Sequence, residues 1–128
     1  MENKSIVICI DDSAIIQSAL IKYLNMILPK FIEVKFFNNY LETIEFIKNN
    51  FNNIDIRFIL CDHFVPLMNG FEFIAWLINN KFKIPIVVIT GSADSDLIQS
   101  YKNLELVQFV LTKPVSRNTL KEKLLTLL

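Results

Sequence analysis

Five short apolar runs recur along the chain, each followed by a longer stretch with helical spacing. The runs are IVICI (6–10), FIEVKFF (31–37), IRFILC (56–61), IPIVVIT (84–90) and VQFVL (107–111). Their shortness and their Ile, Val and Phe content suit strands. Three are almost continuously apolar, the pattern of strands covered on both faces. In the intervening stretches, apolar residues repeat at three and four positions. Ala19, Leu20, Tyr23, Leu24, Ile27 and Leu28 form one such stripe, and Tyr40, Leu41, Ile44 and Ile47 a second. Phe73, Ile74, Leu77 and Ile78 follow, then Leu97, Ile98 and Tyr101, then Leu120, Leu124 and Leu127. Ser13 and Ser116 are placed to cap the first and last helices, and Pro29 ends the first. Pro85 and Pro114 sit at strand margins. Five βα units in series imply an α/β fold with a parallel sheet, helices on both faces and right-handed crossovers.

At 128 residues the chain is expected to form one domain, 1–128. A hydrophobic content of 52% against 20% charged residues excludes a disordered tail. Lys and Arg number 13, and so do Asp and Glu, so the domain has no surplus positive charge with which to displace counterions from nucleic acid. No apolar run approaches the ~20 residues a membrane span needs, and the first is too short for a signal peptide. Cys9 and Cys61 lie inside apolar runs, as small buried thiols do in a reducing compartment. The expectation is a cytoplasmic domain that by itself binds neither membrane nor nucleic acid.

In an open α/β sheet, ligands bind beyond the carboxyl ends of the strands. Asp11 and Asp12 follow the first run, and Asp62 follows the third. The fourth ends in Thr90-Gly91-Ser92, and the fifth leads to Lys113-Pro114. The second ends in Asn38 and Asn39 and offers nothing comparable. A single aspartate after a strand is usually a cap or a turn residue. Five such groups at the matching ends of four strands are not expected by accident. Three adjacent carboxylates repel one another unless a cation joins them, and an all-oxygen set suits a hard ion such as Mg²⁺. Lys113 would balance further negative charge, the Thr90 hydroxyl can donate, and the Gly91 N–H can approach closely. Such a set is suited to a phosphoryl group, and a carboxylate can itself be the nucleophile.

These residues resemble the receiver domain of two-component response regulators across essentially the whole chain. The segments that carry the resemblance are IVICIDDS, ILCDHFVPLMNG with Asp62, Pro66, Met68 and Gly70, VVITG with Thr90, and LTKP with Lys113. The resemblance implies a flavodoxin-like (βα)5 fold with strand order 2-1-3-4-5. It implies that Asp62 takes a phosphoryl group from a phosphohistidine of a sensor histidine kinase or histidine phosphotransfer protein. Asp12, Asp62 and the backbone carbonyl of Phe64 would hold Mg²⁺ directly, and Asp11 through a water. Lys113 would pair with Asp62 and then with the phosphoryl oxygens. Thr90 would turn inward, reshaping the face of the fourth helix, fifth strand and fifth helix for a downstream protein. Such a domain is a signalling switch rather than an enzyme, although it assists its own phosphorylation.

Three positions depart from the family pattern. Val110 stands where the family usually has the rotating aromatic of its switch, with Phe109 one place earlier. A Val there is too small to swing between exposed and buried states, which implies a reduced response of the fourth helix. A one-residue slip would bring Phe109 into that position but would invert the packing of the strand. Val65 replaces a frequent Met, and Asn69 replaces the usual Asp before Gly70. In the family, the residues two after the acceptor and two after the Thr admit or orient the hydrolytic water. Here these are Phe64 and Ser92, and neither suits that task. His63, the only histidine, is either a polar loop residue or a modulator of the site. Ile15 and Ile16 either close the core or dock a partner helix.

Other functions fit less well. A pseudo-receiver that binds a partner without phosphorylation would not need the complete acidic set. Dehalogenase-like phosphohydrolases need Asp-x-Asp, which Asp11-Asp12-Ser13 does not supply. A flavin phosphate would be repelled by two carboxylates in the first loop.

Overall fold

The structure, a computed structural model, describes residues 4–128. Five strands alternate with five helices: β1 (Lys4–Ile10), α1 (Ala14–Ile27), β2 (Ile32–Phe37), α2 (Tyr40–Asn50), β3 (Ile54–Cys61), α3 (Gly70–Asn79), β4 (Ile86–Thr90), α4 (Ser95–Lys102), β5 (Val107–Thr112) and α5 (Arg117–Leu125). The strands form one parallel sheet in the order β2-β1-β3-β4-β5. The α/β architecture and the strand order expected from the sequence are both present. No helix among the described residues is long and apolar enough to cross a membrane.

Alternation along each strand sorts side chains between two cores. Ile6, Ile8 and Ile10 of β1 face one side with Tyr40, Ile47, Phe73, Leu77 and Tyr101 of α2, α3 and α4. Val7 and Cys9 face the other with Leu20, Leu24, Leu120 and Leu124 of α1 and α5. Cys61 lies in the first core and Cys9 in the second, so the sheet separates the two free thiols. Burial of each large side chain contributes about 1.5–3 kcal/mol.

Two β-bulges break the alternation. The β1–β3 register skips Arg57, passing from Ile6↔Ile56 to Val7↔Phe58. The β4–β5 register skips Gln108, passing from Ile86↔Val107 to Val87↔Phe109. An extra residue reverses the facing of everything before it relative to everything after. Val107 therefore shares a core with Val110, while Phe109 packs on the α1/α5 side. Val110 faces the α4 side without any slip that would bring Phe109 there.

Side-chain caps define the helix starts. Ser13 and Ser116 accept from the N–H groups of Ile16 (3.4 Å) and Thr119 (3.1 Å), as their sequence positions require. Asn69 forms a capping box with Glu72 at the start of α3, so its amide fills a structural role beside Gly70. The end of α3 is a Schellman turn: Phe82 N–H reaches the Leu77 carbonyl (2.9 Å) and Lys81 N–H the Ile78 carbonyl (3.1 Å). The left-handed residue this turn requires is Lys81, with φ 63°. Two stripe residues expected inside are exposed, Ala19 on α1 and Leu41 on α2, because each lies at the edge of its helix's apolar face.

Candidate functional site

Asp11 and Asp62 follow β1 and β3, two of the three central strands, and the sheet ladder extends to both. The Asp62 N–H donates to the Ile10 carbonyl (3.2 Å), and the Asp11 N–H to the Phe37 carbonyl (3.2 Å). Both residues are buried, whereas Asp12 is exposed. One carboxylate oxygen from each of the three lies within 4.8 Å of the others.

The Lys113 ammonium bridges the two buried carboxylates, 2.8 Å from an oxygen of Asp11 and 2.8 Å from one of Asp62. The sequence reading paired it with Asp62; the structure gives it Asp11 as well. The second Asp11 oxygen accepts the Ser13 N–H at 2.9 Å. Burial acts to lower the Lys113 pKa, but the hydrogen bonds and charges of Asp11 and Asp62 outweigh it, and the ammonium form is favoured. Three carboxylates against one ammonium leave a local charge of two minus, which a divalent cation would neutralise. Mg²⁺ binds oxygen at about 2.0–2.1 Å, usually through one or two carboxylates with waters in the remaining positions. The spacing and the donor type both fit such an ion.

Thr90 is wholly buried at the end of β4, and its carbonyl accepts the Lys113 N–H at 2.8 Å. Its hydroxyl oxygen accepts from the Ser92 N–H at 3.2 Å, which leaves the hydroxyl proton free to donate elsewhere. Ser92 in turn accepts from the Asp94 N–H at 3.1 Å, and Asp94 caps α4. An added β-carbon at Gly91 would meet nothing within 4 Å, so this turn is open. The Lys113–Pro114 peptide bond is cis. Phe64 is 65% exposed, its ring edge-on to His63 with centroids 4.5 Å apart. His63 is not part of the acidic cluster; its Nδ1 shares a hydrogen bond with the Tyr101 hydroxyl. Ile16 packs on the core, and Ile15 is 84% exposed.

The family model for the response regulator receiver domain matches residues 7–125. The chain belongs to the response regulator receiver domain family. Receiver domains of two-component systems are signalling switches phosphorylated by histidine kinases or phosphotransfer proteins. No curated protein matches the sequence. Among solved structures, a response regulator receiver domain protein from Clostridium thermocellum is 20% identical, with a TM-score of 0.81 over 96% of this chain and 93% of that one. The chemotaxis response regulator CheY4 of Vibrio cholerae is 24% identical, with a TM-score of 0.78 over 98% of this chain and 100% of that one. A CheY-like receiver domain protein from Methanospirillum hungatei is 22% identical, with a TM-score of 0.78 over 98% and 93% of the two chains. These likenesses establish the receiver fold.

Sequence reasoning missed three residues around the acceptor. The Tyr40 hydroxyl donates to the Asp62 carbonyl. The Tyr101 hydroxyl meets His63. Gln17 donates to the Asp11 carbonyl and to Asn38, the latter at 2.8 Å. Both tyrosines were legible as core positions. The signal in each was the hydroxyl, because a fully buried Tyr needs a polar partner.

Proposed function

We propose that this receiver domain accepts a phosphoryl group on Asp62 from a phosphohistidine of a sensor histidine kinase or histidine phosphotransfer protein, with Mg²⁺ as cofactor. One observation carries the reading: the Lys113 ammonium sits 2.8 Å from both Asp11 and Asp62 inside a cluster of three carboxylates. An Asp62 carboxylate oxygen attacks phosphorus, a P–O bond forms, the P–N bond breaks, and the imidazole nitrogen keeps the bonding pair. Lys113 already contacts Asp62 and stays within reach of the oxygens the phosphoryl group brings. The Thr90 hydroxyl donates to one of them, and its inward turn reshapes the face of α4, β5 and α5, to a smaller degree with Val110 in place of the family's aromatic. Asp12, Asp62 and the Phe64 carbonyl would hold the ion, with Asp11 acting through a water. When bound, the ion offsets negative charge on the phosphoryl oxygens.

A phosphohistidine donor must bring its helix against this rim. Exposed Ile15 and an apolar cleft lined by Ile16, Ala19, Tyr23, Pro114 and Val115, next to Lys113, supply a surface for it. The complete acidic set weighs against a binding module that works without phosphorylation. Incubation with Mg²⁺ and acetyl phosphate should add one phosphoryl group, and Asp62→Asn should abolish labelling, since an amide is a poor nucleophile. Undiminished labelling of that variant would assign the acceptor to another residue.

A further inference from the structure

Beneath the acceptor segment, two tyrosine hydroxyls from different helices converge on one glycine. A β-carbon at Gly70 would come within 2.8 Å of the Asp62 carbonyl oxygen, 2.8 Å of the Tyr101 hydroxyl and 3.1 Å of the Tyr40 hydroxyl. Tyr40 is the first residue of α2, is fully buried and stacks on Phe73 at 4.6 Å. Its hydroxyl holds the Asp62 carbonyl. Tyr101 belongs to the last turn of α4, and its hydroxyl holds the side chain of the next residue, His63. The His63 and Tyr101 rings meet edge to face at 5.5 Å, and Phe71 closes the other side of Tyr101 at 5.6 Å.

The attachment of α4 makes this arrangement more than packing. Of the residues Ser95–Lys102, Tyr101 alone is buried. Helix α4 is therefore seated on the sheet by one fully buried side chain, with Leu97 packing partly buried beside it, and the polar tip of Tyr101 rests on the residue adjoining the acceptor. A helix held by so few buried contacts shifts at low cost in free energy. We propose that Tyr101 is a positioning residue that couples α4 directly to the acceptor segment through His63, while Tyr40 anchors that segment from the α2 side. A change in the Asp62–His63 backbone on loading of Asp62 then alters the seat of α4 without passing through Val110. The inference rests on the reading of Asp62 as acceptor.

The test is amide hydrogen exchange and ¹⁵N chemical shifts, with and without Mg²⁺ and saturating beryllofluoride. In the parent, loading should change exchange in Ser95–Lys102 and shift His63 Nδ1. Tyr101→Phe keeps the ring and removes the hydroxyl. Loss of one hydrogen bond of about 1 kcal/mol should reduce the α4 response roughly fivefold, while the Thr90 amide still responds. His63→Leu removes the same bond from the half-buried loop side and should have the same effect even if the tyrosine variant folds poorly. The double variant should be no worse than either single one. A full α4 response in either folded single variant overturns the coupling, as does an α4 that stays unchanged in the loaded parent. Failure of the parent to bind beryllofluoride at all would instead remove the acceptor reading, and the coupling with it.

Discussion

Gly70 lies against Asp62 so closely that a β-carbon on it would stand 2.8 Å from the Asp62 carbonyl oxygen. Real β-carbons do not approach oxygen that closely, and the neighbours here are a backbone carbonyl and two buried hydroxyls. Gly70→Ala should therefore push the acceptor segment away from Tyr40 and Tyr101. The expected cost is about 1–3 kcal/mol in urea unfolding, with slower acetyl phosphate labelling of Asp62. A variant as stable and as readily labelled as the parent would mean that the loop absorbs a methyl group freely.

Removal of carboxylates should grade Mg²⁺ affinity. Asp12 is exposed and has no ammonium partner among the described residues, so its carboxylate is available to an ion, whereas both Asp11 oxygens are already engaged by Lys113 and the Ser13 N–H. Asp12→Ala is expected to weaken Mg²⁺ binding roughly ten- to a hundredfold in a fluorescence or calorimetric titration. Asp11→Ala should weaken it less. Equal affinity in both variants and the parent would place the ion elsewhere.

Phosphoryl lifetime should be long. The Phe64 ring offers no hydrogen bond to a hydrolytic water, and the Ser92 side chain is too short and lacks the charge to orient one. Phe64→Asn should hasten loss of phosphate about tenfold, equivalent to ~1.4 kcal/mol of barrier. Its Mg²⁺ affinity should not change, because the proposed contact there is the backbone carbonyl. A decay rate equal to that of the parent would remove Phe64 from control of the lifetime.

Lys81 offers a test remote from the site. It occupies the left-handed position of the α3 Schellman turn at φ 63°, where a β-carbon costs about 1–2 kcal/mol. Lys81→Gly should raise stability by up to ~1 kcal/mol, since the greater freedom of the unfolded chain offsets part of the relief. Thermal unfolding measures it, and Asp62 labelling should be unaffected.

Asp11, Asp12, Asp62, Thr90 and Lys113 were legible in the sequence for a geometric reason. A chain of βα units must bring the carboxyl ends of all its strands to one rim, so residues far apart in sequence meet there whatever the details of packing. The helix caps at Ser13 and Ser116 were legible because they are local. The bulges at Arg57 and Gln108 were not. Apolar runs such as IRFILC and VQFVL read as unbroken, and the extra residue is visible only against the partner strand. The tyrosine hydroxyls escaped for a related reason: periodicity locates a buried side chain without telling which polar atom across the core it meets. Ile15 and Ile16 show the same limit, since adjacent residues at a helix start divide between core and solvent according to the helix's rotation.

Both bulges lie toward the amino ends of the strands, below the level at which Ile10, Cys61 and Val88 stand side by side. The sheet thus has a zone of slack at one end and a fixed lattice at the other. Gaining or losing a residue near Arg57 or Gln108 alters which core Ile56 or Val107 enters, yet leaves Phe58–Cys61 and Phe109–Thr112 in step with their neighbours. Errors of strand length are absorbed on the side remote from the chemistry, so the rim that sets Asp62 against Lys113 is insulated from drift in the opposite loops.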